Sequence, residues 1–278
     1  LLLFEILKNK NLLVFCFQGN IYCTLLCKLF GVKIIVRSNT APDGWSQNII
    51  KHFLFKNIFK FADKIIVNSF EFQRKFKSRF NLKTICIYNP LNKKEIINKS
   101  NKKIKKFFKK NHLNIINVGR FTDQKDQITL LKAIVLLQNK IDIKLLILGR
   151  GVEESRLKEF VIKNKLTKIV KIIGFQNNPY PFIKSADLFV LSSIYEGLPN
   201  VLLEAIALKK FVISSNCPTG PNEILLNGKG GLLFKPKDFK SLAKKIIYFS
   251  KNQKICKAHI MILFVRLYIY IHLLQNTL

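Results

Sequence analysis

The chain has 278 residues, 49% hydrophobic and 23% charged. That balance excludes a disordered protein and allows one large domain or two ordinary ones. Lys and Arg number 48 against 16 Asp and Glu, a formal net charge of +32. Such a surplus suits an anionic partner: nucleic acid, anionic lipid or a phosphorylated substrate. The heavy use of Lys, Asn, Ile and Phe is also what an AT-rich genome encodes without selection for binding. Cys16, Cys23, Cys27, Cys86, Cys217 and Cys256 form no C-x-x-C pair and have no His cluster beside them. This argues against a metal site or a disulfide framework, and for small core residues in a reducing cytoplasm.

The opening "LLLFEILKNKNLLVFCF" lacks a basic region followed by a cleavage site, and reads as a chain entered mid-fold. Apolar runs then predict strands near 12–17, 32–37, 64–69 and 84–88, with helices near 20–30, 46–61 and 70–79. The basic stretch 92–110 lacks a clean apolar face and reads as a linker. A second series follows, with strands at 113–119, 143–149, 169–174, 187–192, 210–215 and 231–234. Its helices are expected at 126–139, 153–164, 179–185, 199–208 and 238–250. Near-continuous apolar strands joined by helices predict an α/β protein with doubly wound parallel sheets. The expected division is a partial first domain with its linker over 1–110, a second domain over 111–250 and an atypical tail over 251–278. The tail holds "CKAHIMILFVRLYIYIHLL", readable as an interfacial helix or as a truncated or misread end.

Ligands of such sheets bind beyond the carboxyl ends of the strands, so the loops there carry the candidate chemistry. In "NVGRFTDQKD" a strand ends at Gly119, and Arg120 and Lys125 follow before a helix. A planar guanidinium and a point-charge ammonium suit a diphosphate, although a solvated basic turn reads the same way. "LGRGVEE" has two glycines but no dinucleotide fingerprint, and glycine there can serve backbone freedom alone. "IIGFQNNPYPFIKSAD" offers Gly174 and Phe175, either as an edge for a base or as an ordinary connection. "YEGLPNVLLEAIA" has Gly197 in a sharp turn and Pro199 suited to the first helical position. Free N–H groups near Leu198, Asn200 and Val201 would face an anion at the helix start. Glu204, eight residues past Glu196, sits among apolar neighbours. There it needs a hydrogen-bonding partner, unless it lies on the polar stripe of a half-buried helix. "NCPTGPNEIL" reads as a rigid loop entering a helix, with Asn222 as a cap.

Taken together, "VGRFTDQKD", "LLILGRG", "IIGF", "ADLFVLSSIYEGLPNVLLEAIA" and "CPTGPNEIL" resemble, in that order, the retaining glycosyltransferases of the group 1 (family 4) class. The resemblance covers about 111–250 and includes the E-x7-E pair Glu196 and Glu204. It implies a GT-B fold of two Rossmann-like domains facing a cleft, with the first domain incomplete. It also implies transfer of a hexose or N-acetylhexosamine, with retention, from a nucleotide-sugar such as a UDP-sugar to a lipid-linked or surface-polysaccharide acceptor. Arg120 and Lys125 would hold the diphosphate, and Glu196 the transferred sugar. Gly197, Leu198, Asn200 and Val201 would assist the phosphates, Glu204 would take the ribose hydroxyls, and Gly119, Gly174 and Phe175 would complete the donor site. No metal, no cofactor and no nucleic acid partner are implied. An anionic membrane surface at the inner face of the cytoplasmic membrane is.

The departures from the class are also specific. Its Gly-rich loop after the first strand has no counterpart here. "KIIVRSNTAPDGW" has Arg37, Ser38 and Asn39 where many members carry a His. The C-terminal helix that crosses back to the first domain is not recognisable. Competing readings are an inactive fragment of such an enzyme, a sugar-nucleotide epimerase of the same fold, and a basic binding protein without activity. The last would interleave aromatic and basic residues on one face.

Overall fold

The computed structural model describes residues 1–17, 19–39, 48–104, 107–108, 110–256 and 258–260. Most of the apolar tail and residues 40–47 lie outside the described residues. The chain divides into two compact units. The first comprises Leu1–Asn89 with Tyr195–Leu198 and Pro218–Glu223. The second comprises Pro90–Ile194, Pro199–Cys217 and Ile224 onward.

The first unit has a parallel sheet in the order β1-β2-β3-β4. Its strands are β1 (Leu13–Cys16), β2 (Lys33–Ser38), β3 (Lys64–Val67) and a two-residue β4 (Ile85–Cys86). Its helices are α1 (Leu2–Lys8), α2 (Asn20–Leu29), α3 (Ile49–Phe59) and α4 (Phe70–Phe80). Phe72, Phe76 and Phe80 repeat at i, i+4 and i+8 on α4, and all three are fully buried beside Phe59. Burying each such ring contributes about 1.5–3 kcal/mol. Ser69 starts the helix by accepting the Phe72 N–H at 3.1 Å. Helix α1 has no counterpart in the sequence reading, because its apolar residues run on into those of β1. Its one buried side chain is Ile6.

The second unit has a six-stranded parallel sheet in the order β10-β9-β8-β5-β6-β7. The strands are β5 (Leu113–Val118), β6 (Ile143–Leu148), β7 (Val170–Ile173), β8 (Leu188–Leu191), β9 (Phe211–Ser215) and β10 (Leu232–Phe234). Every residue of β8 and β9 is buried. A strand covered by helices on both faces is near-continuously apolar, as β8 is, and β9 departs only at Ser214 and Ser215, whose hydroxyls donate to the Ser215 and Ser193 carbonyls. The helices of this unit are α5 (Lys93–Ser100), α6 (Gln127–Leu137), α7 (Glu154–Lys163), α8 (Tyr180–Ser185), α9 (Asn200–Ala207) and α11 (Phe239–Lys251), and α10 (Pro221–Ile224) lies between α9 and α11 in the chain. The four-residue α10 spans the border between the units.

Two stretches differ from expectation. The basic segment near 92–110 contains α5, which packs on α8 and α9, so the compact units divide after Asn89 rather than at 110. Ile96 is the buried anchor of α5, and its lysines hide that single apolar contact in the sequence pattern. The start of the tail belongs to the second core, where Cys256 and Ile260 are buried. All six cysteines are free thiols; Cys16, Cys27, Cys217 and Cys256 are buried.

Candidate functional site

Strand order reverses between β5 and β8. The chain runs outward from β5 through β6 to β7, and from β8 through β9 to β10. A parallel sheet opens a crevice at such a switch point, beyond the carboxyl ends of the two strands. The two loops that leave it are tied together. Ile194 N–H donates to the Gln124 carbonyl at 2.8 Å, and Ser192 Oγ donates to the Lys125 carbonyl at 2.9 Å.

The loop after β5 is built on backbone contact. Phe121 N–H donates to the Arg150 carbonyl at 2.9 Å, and Gly119 N–H to the Leu148 carbonyl at 3.0 Å. A Cβ on Gly149 would stand 1.9 Å from the Gly119 oxygen, and one on Gly151 would stand 2.2 Å from the Phe121 oxygen. The glycines of "LGRG" therefore let the 149–151 turn lie against the 119–121 turn. The Arg120 carbonyl accepts from Gln127 Nε2 at 2.9 Å, which leaves its exposed side chain on a fixed backbone. The Lys125 stem lies across Gly119, with Cδ 3.6 Å from where a Cβ would be. Asp126 then caps α6, accepting the Thr129 N–H at 3.3 Å and its hydroxyl at 2.6 Å. Burial raises the Asp126 pKa, and those hydrogen bonds oppose the rise.

Gly174 and Phe175 follow β7. Phe175 is 56% exposed, and the Arg150 guanidinium lies over its ring at 5.0 Å, so the glycine-rich turn and the aromatic loop meet. Among the described residues, no atom beyond its chain neighbours stands within 4 Å of a Cβ placed on Gly174.

Glu204 is half-buried on α9 and accepts a hydrogen bond from the Tyr180 phenol on α8. Burial raises its pKa, and the phenol opposes that. Burial raises the Tyr180 pKa, and the Glu204 and Glu95 charges and the hydrogen bond to Glu204 add to the rise. The partner that a carboxylate among apolar neighbours needs is thus partly supplied by a residue the sequence did not flag. At the start of α9, Pro199 occupies the N-cap and not the first helical position, and no side chain caps the helix. Asn200 is exposed, Val201 is half-buried and Leu198 is buried.

Glu196, Gly197 and Leu198 pack within the first unit. Glu196 is only 6% exposed. Its N–H donates to the Pro218 carbonyl at 2.6 Å, and its carbonyl accepts from the Thr219 N–H at 3.3 Å and hydroxyl at 3.2 Å. The expected sharp bend at Gly197 is replaced by close approach. Its φ is not positive, and a Cβ there would stand 2.0 Å from the Asn39 carbonyl oxygen.

Two further groups escaped the sequence. Glu223 accepts the Phe70 N–H at 3.2 Å, the Glu71 N–H at 2.8 Å and the Tyr88 hydroxyl, so its carboxylate caps α4. Glu71 in turn accepts the Gly220 N–H at 2.8 Å. Asn222, expected as a cap, lies inside α10. Arg37 is committed to structure: its Nη2 donates to the Ile87 carbonyl at 3.1 Å and to Asn89 Oδ1 at 2.8 Å. Burial lowers the Arg37 pKa and pushes the neighbouring Cys86 up to about 12, with Glu223 adding to the latter and Arg37 opposing it. Among the described residues, no group of three or more His, Cys, Asp or Glu stands where it could hold a metal ion.

Two parallel α/β units, with Arg120 and Lys125 following the first strand of the second sheet, define a GT-B-type fold. The structure of HepE from Anabaena in complex with UDP-glucose superposes with a TM-score of 0.79 at 17% identity, covering 99% of this chain and 80% of that one. The family model for glycosyl transferases group 1 matches residues 98–261, and the chain belongs to that family. An uncharacterized glycosyltransferase of Methanocaldococcus jannaschii is 35% identical over 83% of this chain and 62% of its own length. A 4-alpha-N-acetylgalactosaminyltransferase of Campylobacter jejuni, acting on a diphospho-undecaprenol-linked sugar, is 27% identical over 86% of this chain and 66% of its own. The chain thus spans about three fifths of the length of these relatives.

Proposed function

We propose that the protein moves a hexose or N-acetylhexosamine from a UDP-sugar to a lipid-linked or polysaccharide acceptor, with retention at the anomeric carbon. The observation that carries this reading is the tied pair of loops at the β5/β8 switch point, where Arg120 and Lys125 follow the strand end. Arg120 and Lys125 take the diphosphate and offset the charge that grows on the departing UDP. Glu204 accepts the ribose hydroxyls beside Tyr180, and the base lies along the open loop at Gly174 and Phe175. The N–H groups at the start of α9, at Asn200 and Val201, add to the phosphate site; Gly197 and Leu198 precede them in the chain, and Glu196 binds the transferred sugar.

In the step itself the bond from C1 to the phosphate oxygen breaks and the bond from C1 to the acceptor oxygen forms on the same face. The acceptor proton passes to a phosphate oxygen of the leaving UDP. No protein nucleophile, metal or cofactor takes part. The UDP complex of the structural neighbour and the undecaprenol-linked substrate named for the Campylobacter relative support this choice of donor and acceptor. Such an acceptor is met at the inner face of the cytoplasmic membrane.

The test is incubation with UDP-glucose, UDP-N-acetylglucosamine or UDP-N-acetylgalactosamine and an undecaprenyl-diphosphate-linked sugar, in the presence of EDTA. The expected product has the donor's anomeric configuration, and Arg120→Ala reduces its rate by about 10²-fold or more. Inversion, or loss of turnover with EDTA, overturns the mechanism.

A further inference from the structure

Strand β5 is held to its two neighbours unequally. It pairs with β6 along its whole length, from Leu113↔Ile143 to Val118↔Leu148. Its ladder with β8 has two pairs, Ile115↔Leu188 and Ile116↔Phe189, and ends there, at the switch point. Two asparagine side chains carry the pairing past the ladder, one at each end. At the amino end Asn114 Nδ2 donates to Asp187 Oδ2 at 3.0 Å, beside the Asn114 main-chain N–H at 2.9 Å. At the carboxyl end Asn117 Nδ2 donates to the Val190 carbonyl at 2.8 Å, one residue beyond the last pair.

Asn117 occupies a position that favours an apolar residue. It alternates with Leu113 and Ile115 on the strand face that builds the second core, and it is only 2% exposed. Its Oδ1 is buried and has no partner among the described residues, a penalty that an apolar side chain would not carry. The donor half of the amide explains its presence, because the Val190 carbonyl lies where the ladder has already ended. The bond also stands at the root of both loops of the candidate site. Val118, Gly119 and Arg120 follow Asn117, and Leu191 and Ser192 follow Val190. Farther out, the same two loops are joined by Ser192 Oγ on the Lys125 carbonyl and by Ile194 N–H on the Gln124 carbonyl.

We infer that Asn117 is a positioning residue of the donor site: it fixes the spacing of the carboxyl ends of β5 and β8, and with it the backbone that carries Arg120 and Lys125. Its value to a diphosphate rests on the donor-site reading, whereas the spacing itself does not. Asn114 forms the contrasting clamp. It closes the same pair of strands at the end away from the loops, so its loss costs stability without moving the cations.

The experiment compares the native chain with Asn117→Leu, Asn117→Ser and Asn114→Ala by amide hydrogen exchange without ligand and by calorimetric titration of UDP. Leucine is close to asparagine in size and lacks the donor; serine keeps a polar group at 117 if leucine disturbs the core. Both Asn117 variants are expected to exchange about tenfold faster at the Phe121, Lys125 and Ile194 N–H groups, which the loop bonds protect. Their UDP affinity is expected to fall about tenfold. Asn114→Ala is expected to speed exchange at the Asp187 N–H, whose acceptor is the Asn114 carbonyl, and to bind UDP as the native chain does. Native UDP affinity in both Asn117 variants overturns the inference. So does an equal loss in Asn114→Ala, because affinity would then follow stability alone. If the native chain binds no UDP, the donor-site reading fails; faster loop exchange in the Asn117 variants still supports the spacing role, and native exchange overturns it.

Discussion

Glu196 and Glu204 stand eight residues apart and are held in opposite ways. Glu196 is fixed through its main chain, whose N–H and carbonyl are both taken by residues 218 and 219. Glu204 sits on a regular helix turn, and its environment is made by side chains, chiefly the Tyr180 phenol. The difference teaches which changes are separable. At 196 the main-chain bonds hold the backbone whatever the side chain. At 204 an alteration also disturbs the contact with Tyr180.

The comparison is sharpened first at Glu196. Glu196→Gln should lower turnover by about 10²–10³-fold, the range for losing one preorganised transition-state contact. Steady-state kinetics checks it. Next in size is the glycine pair that shapes the cation loop. Gly149→Ala drives a Cβ to 1.9 Å from the Gly119 oxygen. It should cost about 3 kcal/mol, read in a denaturant titration.

Tyr180→Phe should be milder, lowering stability at pH 7 by about 1–2 kcal/mol, because an ionised half-buried carboxylate loses its donor. The loss should shrink as Glu204 becomes protonated, so melting curves at pH 7 and near pH 4 should differ. The smallest effect should have the opposite sign. The folded state raises the Glu204 pKa through burial, so folding binds the proton more tightly than the unfolded chain does. Stability from this group is therefore present at low pH and lost as pH rises from the ordinary carboxyl range through the raised value. Glu204→Gln should raise the thermal midpoint of the unliganded protein slightly at pH 7, and the gain should vanish at acid pH.

The same contrast explains what was legible in the sequence. The central strands of the second unit were readable because strands covered on both faces are near-continuously apolar, and β8 and β9 are buried at every position. Arg120 and Lys125 were visible in the sequence as cations that follow a strand end, and Glu196 and Glu204 as a spaced pair around the start of a helix, where β5 and α9 lie. Helix α5 was not, because its one buried anchor, Ile96, is surrounded by lysines. Nor were Tyr180, Ser192 or Glu223. Ser192 meets the Lys125 carbonyl across 67 positions and Glu223 meets Tyr88 across 135, so local patterning carries no trace of either contact. The glycines at 149 and 197 were visible as glycines, but their reason lies in approach to the Gly119 and Asn39 carbonyls.

The central claim is that Glu204 belongs to a UDP site at the switch point of the second sheet. Calorimetric titration of UDP and of GDP into the native chain and into Glu204→Gln tests it most directly. The account predicts UDP binding in preference to GDP, and a loss of about tenfold in UDP affinity in the variant, the worth of a charged hydrogen bond to ribose. Absence of nucleoside diphosphate binding, or equal UDP affinity in the two proteins, would contradict it.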